Sequence, residues 1–300
     1  MTMTVPGDRR TDPDPDRAAL LDRLADRARF IRLETVRLAR IAGAGHYTST
    51  FSCAEILSTL FYHQLRIRPS EPQWPDRDRF VMSKGHAAIG WYPVLADLGY
   101  FPAGELDQFT RLGSPFGDHP DMRKVIGADF SSGSLGHGLS VGVGMALAAR
   151  VQRRDHRVYV LLGDGELCEG QIWEAAMSAA HHGLGNLVAI VDRNQLCIDG
   201  RTEDVMAVEP IDGRFDAFGW ETHRIDGHDL GALVDTLGAL EPSSGDAPQL
   251  IVADTVKGRG VRMMELSLLW HVGSLMGDDY DAVVAELEQG LRPLVGELPA

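Results

Sequence analysis

The sequence has few cysteines, few lysines and no long apolar run, and each of these shortages excludes a class of protein. Its 300 residues include 3 cysteines, Cys53, Cys168 and Cys197, which form neither a disulfide framework nor a Cys-x-x-Cys metal site. All three lie in apolar segments, which predicts buried, reduced thiols. No segment approaches the length of a membrane span, and the N-terminus lacks the apolar core of a signal peptide. We therefore expect a cytoplasmic protein.

The charge balance excludes a second set of functions. The 43 acidic residues outnumber the 29 basic ones and give a net charge of −14. Such an excess of negative charge disfavours nonspecific binding to nucleic acid or to an anionic membrane surface. The composition, 44% hydrophobic and 24% charged, is that of an ordinary globular protein.

The order of apolar segments predicts the fold class. Residues 1–17 are rich in Pro and Asp, which predicts a disordered tail, and residues 18–42 have the apolar spacing of a helix that ends at Gly43. Further along, short apolar strands alternate with glycine-containing turns and helices, as in "FVMSKGHAAIGWYPVLADLGYF" and "VYVLLGDGELCEGQIWEAAMSAAHHG". This alternation predicts an α/β fold, with a parallel sheet covered by helices on both faces, an N-terminal helical arm and a single domain over residues 18–300.

Two polar residues follow consecutive predicted strands, at Asp164 and Asn194. Strands of a parallel sheet present their carboxyl ends at one edge, where ligands bind, so both side chains are expected at that edge. Gly163 and Gly165 permit a sharp turn that exposes backbone N–H groups to an anion. Carboxylate, amide and carbonyl oxygens are ligands for Mg²⁺ or Ca²⁺. The pattern therefore favours a metal–phosphate site, although a purely structural turn is also compatible with it.

Two other glycine-rich motifs fit less well. Residues 165–170 have the glycine spacing of a P-loop, but Gln171 and Ile172 stand where that loop requires Lys and Ser or Thr. The segment "SLGHGLSVG" follows no clear strand, so it does not support a dinucleotide-binding fingerprint.

Five blocks in order identify a resemblance: "SKGHAAIGWYPVLADLGYF", "DHPD", "GSLGHGLSVGVGMALA", "GDGELCEG" with the following "NLVAIVDRNQLCIDG", and "TVKGRG". From Arg29 to His271 the chain resembles the N-terminal half of transketolase, and specifically the small subunit of two-component transketolase-like enzymes. The resemblance implies a thiamine diphosphate-binding (PP-type) fold with thiamine diphosphate and Mg²⁺ (or Ca²⁺) as cofactors.

The resemblance also assigns roles to individual residues. It implies metal ligation by the side chains of Asp164 and Asn194 and by the carbonyl of Leu196. The implied cofactor contacts are His86, Gly133, Ser134, Leu135, Gly163, Asp164, Gly165, Glu166, Asn194 and His271. The implied catalytic residues are His46, His86, His119 and His271, with Glu169 at the subunit interface. For Glu166 an ordinary carboxylate in the first turn of a helix is an alternative interpretation.

The resemblance implies a transferase that moves a two-carbon ketol unit from a ketose donor to an aldehyde acceptor. In this family the glutamate that activates the cofactor belongs to the other half of the enzyme, and the sequence ends at Ala300, about where that half would begin. We therefore expect a separate subunit with the pyrimidine-binding domain, in an α₂β₂ assembly. The alternatives are the α subunit of a 2-oxo acid dehydrogenase or decarboxylase, and a non-catalytic scaffold subunit.

Two positions depart from the family pattern. Tyr47 and Thr48 follow His46 where the family has Gly-Gly-Ser, and Val272 follows His271 where the family has Gly. We expect both changes near the substrate channel, which would favour an unusual donor or a carrier-bound acyl acceptor.

Overall fold

A five-stranded parallel sheet forms the centre of the computed structural model, which describes residues 16–240 and 246–290. The strands are β1 (Arg79–Met82), β2 (Val158–Gly163), β3 (Leu187–Arg193), β4 (Glu221–Asp226) and β5 (Gln249–Asp254). Their order is β1-β2-β3-β5-β4, and every neighbouring pair is parallel. The prediction of a parallel sheet is confirmed.

Helices cover both faces of this sheet, as the sequence predicts. They are α1 (Arg17–Ala42), α2 (Tyr47–Phe51), α3 (Ala54–Thr59), α4 (Ala88–Asp97), α5 (His137–Val151), α6 (Gly170–His181), α7 (Thr202–Val205), α8 (Ile211–Phe218), α9 (Leu230–Ala239) and α10 (Gly277–Glu288). Successive side chains of a strand point to opposite faces. In β2, Tyr159 and Leu161 join the apolar cluster that includes α1, α3 and α4, whereas Val160 and Leu162 join the cluster that includes α5 and α6. Such a strand is apolar throughout because both of its faces are buried.

The predicted N-terminal helical arm is α1, which packs its apolar face into the first cluster. Asp16 caps the helix by accepting hydrogen bonds from two backbone N–H groups, and Gly43 ends it with a φ of 84° in the left-handed region. Of the predicted tail, residues 1–15 lie outside the described residues, while Asp16 and Arg17 form the cap and first turn of α1. The single domain over residues 18–300 stays a prediction, because residues 241–245 and 291–300 are also outside the description.

The segment "FSCAEILSTLFYHQL" has the apolar pattern of one continuous helix, but it contains the end of α2, the separate helix α3 and a π-helical turn, Leu60–Gln64. The break lies between α2 and α3, at Ser52 and Cys53. The Ser52 hydroxyl donates to the carboxylate of Asp192 at 2.7 Å, and the N–H of Cys53 bonds three rather than four residues back, to Thr50. A tertiary hydrogen bond at the sheet edge thus overrides the local helical pattern.

The composition also predicts buried cysteines and no membrane-spanning segment. All three cysteines are free, but only Cys53 is buried; Cys168 is exposed and Cys197 is half-buried. The expectation of three buried thiols is therefore wrong for Cys168 and Cys197. Throughout the described ranges, no helix is both long and apolar enough to cross a bilayer.

Candidate active site

Asp164 and Asn194 lie side by side at the carboxyl edge of the sheet. β2 ends at Gly163, which pairs in register with Asp192 of β3. Asp164 follows the first strand directly, and Asn194 follows Arg193, the last residue of the second. Asp164 and Asn194 are 30 residues apart in sequence but are neighbours in space, because the connecting helix α6 returns the chain to the adjacent parallel strand.

The Asp164 carboxylate is buried and accepts two hydrogen bonds, from the backbone N–H of Gln195 at 2.7 Å and from the hydroxyl of Thr202 at 3.0 Å. Burial raises the pKa of this carboxyl group to about 6, and the neighbouring Asp192 contributes in the same direction. A carboxylate with a raised pKa is stabilised in its charged form by a cation. Asp164 is thus suited to metal binding.

The other two expected ligands are occupied by contacts within the chain. The amide oxygen of Asn194 accepts from the N–H of Leu196 at 3.3 Å, and the carbonyl of Leu196 accepts from the amine of Lys257 at 2.7 Å. Among the described residues there is no cluster of three or more His, Cys, Asp or Glu arranged to hold a metal. The expected set contains one carboxylate, one amide and one carbonyl, which is a hard-oxygen set that suits Mg²⁺ or Ca²⁺ completed by other oxygens.

A cavity of about 320 Å³ opens beside these residues. Most residues predicted from the sequence line it: His46, His86, His119, Gly133, Leu135, Gly163, Asp164, Gly165, Glu166, Asn194, Leu196 and His271. Ser134 and Glu169 do not line it, and both are exposed. These residues come from seven separate parts of the chain and converge on one space, which the linear sequence does not show.

Four histidines form one wall of the cavity. The ring centroids of His46, His86 and His271 lie 5.2 to 5.4 Å apart, and the ring of His119 lies 6.2 Å from that of His46. Burial lowers the pKa of His86 well below its usual value, with a further contribution from Lys84. Burial and the nearby Lys257 lower the pKa of His271 to about 3. Both rings are therefore neutral near pH 7 and able to accept hydrogen bonds.

Two lysines and an aspartate at the site were missed by the sequence analysis. The amine of Lys84 bonds the carboxylate of Asp192 and the carbonyl of Ser49, so its charge is neutralised. No described carboxylate pairs with Lys257, and burial, with the charge of Lys84, lowers its pKa to about 8. Lys257 thus provides an unpaired cationic donor at the cavity. Two features of the sequence could have indicated Lys257: it lies inside "TVKGRG", and most basic residues of this chain are Arg.

Glu166 is more than an ordinary first-turn carboxylate. It is buried, and its two oxygens accept from the N–H groups of Gly136 at 2.9 Å and Gly163 at 3.1 Å, and from the hydroxyl of Ser83. These bonds tie the ends of β1 and β2 to the glycine-rich segment before α5. Glu166 therefore shapes the floor of the cavity, with both oxygens already engaged.

The glycine-rich segment approaches the site closely at two points. Gly133 has a φ of 154°, and a Cβ there would meet the ring of His119 at 3.4 Å. Gly136 has a φ of 83°, and a Cβ there would meet the Cβ of Glu169 at 2.7 Å. A side chain at Gly136 would therefore be strained in its backbone and would displace Glu169.

The two sequence departures adjoin the cavity histidines His46 and His271, but their side chains do not line the cavity. Tyr47 is fully buried; its hydroxyl accepts from the N–H of Leu275 at 3.3 Å, and its ring packs edge-on against Trp270 at 6.2 Å. The hydroxyl of Thr48 donates to the carbonyl of Trp270 at 3.1 Å. Val272 is exposed and does not line the cavity. Tyr47 and Thr48 thus hold the segment that carries His271 through contacts outside the cavity lining.

Residues 22–292 match the family model described as transketolase, thiamine diphosphate binding domain. The chain is 40% identical to the 6-deoxy-6-sulfo-D-fructose transketolase subunit SqwG of Clostridium sp. (strain MSTE9), over 89% of this chain and 96% of the relative. It is 39% identical to an apulose-4-phosphate transketolase subunit from Phocaeicola vulgatus, over 89% of this chain and 94% of the relative.

Solved structures give the same relationship. A transketolase variant from Pichia stipitis superimposes with a TM-score of 0.83 at 31% identity, and covers 88% of this chain and 40% of its own. The transketolase of Campylobacter jejuni gives a TM-score of 0.81 at 31% identity, over 90% of this chain and 42% of its own. The chain thus spans about two-fifths of these solved proteins, and nearly all of the two subunits. Neither a 2-oxo acid dehydrogenase subunit nor a scaffold is favoured by these similarities.

Proposed function

The chain belongs to the transketolase family, through its thiamine diphosphate-binding domain, and from this premise we propose that it is the cofactor-binding subunit of a two-component transferase. With its partner, the enzyme moves a two-carbon ketol unit from a ketose to an aldehyde. The observation that carries the proposal is the convergence of Asp164, Asn194 and Lys257 with four histidines on one cavity. Anionic, cationic and proton-accepting groups are thereby available within one enclosed space.

In this proposal Asp164, Asn194 and the carbonyl of Leu196 hold Mg²⁺, or Ca²⁺, and the metal holds the diphosphate. The buried carboxylate of Asp164 supports the assignment, because a cation stabilises the charged form that burial disfavours. Lys257 would release the carbonyl of Leu196 to the metal and donate to a diphosphate oxygen instead. Gly165, at the turn after β2, lines the same cavity, and its backbone N–H would donate to the same anion.

The histidines would manage protons around the substrate. When bound, thiamine diphosphate supplies a carbanion that adds to the ketose carbonyl and accepts the electrons of the broken carbon–carbon bond. His46, His86, His119 and His271 line the part of the cavity that a sugar would enter. Neutral imidazoles at His86 and His271 would accept hydrogen bonds from substrate hydroxyls at neutral pH. Leu135 and Gly133 line the cavity and would border the cofactor rings, while Ser134 between them is exposed.

The partner is proposed to complete the site. The relatives of similar length are named as subunits, which supports a second polypeptide. We propose that the partner contributes the pyrimidine-binding domain and the glutamate that activates the cofactor, in an α₂β₂ assembly. Exposed Glu169, which packs its Cβ and Cγ over Gly136, is proposed to lie at the subunit interface. A cytoplasmic location stays a prediction from cysteine usage.

The substrate class follows from the relatives and from the cavity. The names of two relatives refer to a sulfonated fructose and to a phosphorylated ketose, so we propose a ketose donor with an anionic group. That group would be held by the partner, because Lys84 is already paired and Lys257 is assigned to the cofactor. The reason for expecting a carrier-bound acceptor disappears, since Tyr47 and Val272 lie outside the cavity lining. A free aldehyde is the proposed acceptor.

Calorimetric titration of thiamine diphosphate with Mg²⁺ tests this proposal. The titration is made into the chain alone and into the chain co-purified with the polypeptide encoded beside it. Tight binding in the pair, followed by ketol transfer from anionic ketoses, is expected. Failure of the cofactor to bind in either sample would overturn the assignment.

A further inference from the structure

A carboxylate that the proposed mechanism does not use lies beside the histidine wall. Asp118 immediately precedes His119, and its Oδ1 lies 3.3 Å from Nδ1 of His46, a hydrogen-bonding distance. Its other oxygen lies 3.7 Å from Nδ1 of His119. One carboxylate thus lies near the Nδ1 atoms of two cavity histidines, His46 and His119. The two histidines are 73 positions apart in sequence (119 − 46).

The surroundings of Asp118 leave the histidines as its only described ionic contacts. No lysine or arginine among the described residues lies within ion-pair distance of it. Burial alone would raise its pKa, but the hydrogen bond from His46 and the charge interactions with His46 and His119 hold the pKa below the usual value. Asp118 is therefore an ionised acceptor, and a neutral His46 ring facing it carries its proton on Nδ1.

We propose that Asp118 is a positioning residue that fixes His46 in the Nδ1–H tautomer and so leaves Nε2 free as a proton acceptor in the cavity. This inference rests on the proposed ketol transfer. Nε2 lies across the ring from Nδ1 and has no hydrogen bond to any described residue. The 3.7 Å distance from Asp118 to Nδ1 of His119 is longer than a hydrogen bond.

The proton balance of ketol transfer gives this arrangement a use. When the carbon–carbon bond of the donor breaks, the hydroxyl on the departing carbon loses its proton and becomes a carbonyl. When the acceptor is joined, its carbonyl oxygen gains a proton and becomes a hydroxyl. A neutral His46 can take the first proton at Nε2 and return it in the second half-reaction, so no net proton is consumed. Asp118 stabilises the imidazolium between the two events.

The other groups that face His46 do not provide this function. His86 and His271 approach the His46 ring at centroid distances of 5.2 and 5.4 Å, but as neighbouring rings and not as carboxylate acceptors. Lys84 and Lys257, deeper in the cavity, are cationic donors that oppose protonation of the nearby histidines. Asp118 is thus the carboxylate, among the described residues, that orients the His46 ring.

The tautomer of His46 can be measured without an assay of enzymatic activity. We would record ring ¹⁵N shifts of the full-length chain labelled at histidine, with His46 assigned by His46→Gln. In the unmodified chain, Nδ1 of His46 is expected to show the shift of a protonated nitrogen and Nε2 that of an unprotonated one. Asp118→Ala should allow the Nε2–H tautomer to appear, whereas Asp118→Asn, which keeps an accepting oxygen, should retain the Nδ1–H form.

A matched control separates the effect of Asp118 on the His46 tautomer from the general effect of removing a negative charge. Asp199 also lines the cavity but has no described contact with a histidine, so Asp199→Asn removes the same charge and should leave the His46 shifts unchanged. In the complex with the partner, Asp118→Ala should lower kcat by about tenfold to a hundredfold, as the loss of an orienting partner commonly does, with unchanged cofactor affinity. An Nε2–H tautomer in the unmodified chain, or unaltered His46 shifts in Asp118→Ala, would overturn the inference. Absence of ketol transfer by the unmodified complex would overturn the proposed function instead, because the shifts are read independently.

Discussion

Gly45 and Gly273 exchange two backbone hydrogen bonds, at 2.9 and 3.1 Å, in an isolated antiparallel bridge. His46 is the next residue after the first glycine, and His271 lies two residues before the second. The bridge therefore joins the two segments that carry these histidines and places their rings edge-to-face at 5.4 Å. Tyr47 and Thr48 add side-chain bonds to the same segment. The spacing of the two histidines is consequently set by contacts outside the cavity.

Tyr47→Phe tests the contribution of one of these contacts. The substitution removes the hydroxyl that accepts from the N–H of Leu275 but keeps the ring that packs on Trp270. We expect a loss of about 1 kcal/mol in the free energy of unfolding, the usual net value of a buried hydrogen bond. Denaturation in urea measures it. Tyr280→Phe is the control, because the structure records no hydrogen bond for that hydroxyl; equal losses in both variants would contradict the assigned role of Tyr47.

The sequence predicts the sheet and the placement of the polar pair because both depend on local pattern. β2 and β3 are apolar throughout, and Asp164 and Asn194 stand just beyond them, so the parallel arrangement suffices to bring them together. The environment of Tyr47 was not predictable in this way. Its burial depends on Trp270 and Leu275, more than 220 positions later, and no local pattern encodes such a contact. The buried bonds of Glu166 and Lys84 depend likewise on which segments meet.

Asp164→Ala tests the metal assignment. The substitution removes the carboxylate of the proposed ligand set, so Mg²⁺-dependent binding of thiamine diphosphate to the complex should be lost while the subunits still assemble. Calorimetry measures the first property and analytical ultracentrifugation the second. Asp204→Ala, which removes an exposed carboxylate of α7, is the control and should bind the cofactor normally. Undiminished affinity in Asp164→Ala would show that the metal is held elsewhere.

Lys257→Met separates cofactor binding from stability. Lys257 is buried, bonds the carbonyl of Leu196 and has no described carboxylate partner. A methionine of similar length removes a costly buried charge, so the apo chain should be as stable as the unmodified one or more so. The affinity for thiamine diphosphate should fall by about tenfold or more, since a charged hydrogen bond is worth about 1.5 to 3 kcal/mol. Calorimetric titration gives the affinity and urea denaturation the stability.

Lys124→Met is the natural control for that variant, because its side chain is exposed at 60%. It should alter neither property. If Lys257→Met instead destabilised the apo chain and left the affinity unchanged, Lys257 would be a structural residue that supports the loop at Leu196.

Arg32 and Glu55 form a buried ion pair that does not line the cavity. Arg32 of α1 makes two hydrogen bonds to Glu55 of α3, and both side chains are about 1% exposed. His228 completes the group: its Nε2 accepts from the N–H of Val256, so its Nδ1 carries the proton and donates to Glu55. Burial opposes ionisation, but Arg32 and His228 together lower the pKa of Glu55 to about 2. Glu55 therefore stays charged in the folded protein.

Since the pKa of Glu55 is lower in the folded than in the unfolded chain, its ionisation stabilises the fold above the unfolded value of about 4.3. That contribution is lost as the pH falls from about 4.3 to about 2. Glu55→Gln should reduce the free energy of unfolding at pH 7 by about 3 to 5 kcal/mol, because Arg32 remains buried without its partner. The difference from the unmodified chain should shrink as the pH approaches 2. Urea denaturation between pH 7 and pH 2.5 measures both effects.

Asp26→Asn is the control for Glu55→Gln. It breaks an exposed ion pair with Arg29 in helix α1 and should change the free energy of unfolding by less than about 1 kcal/mol. A pH-independent difference for Glu55→Gln would mean that lost packing, and not lost charge, accounts for the destabilisation.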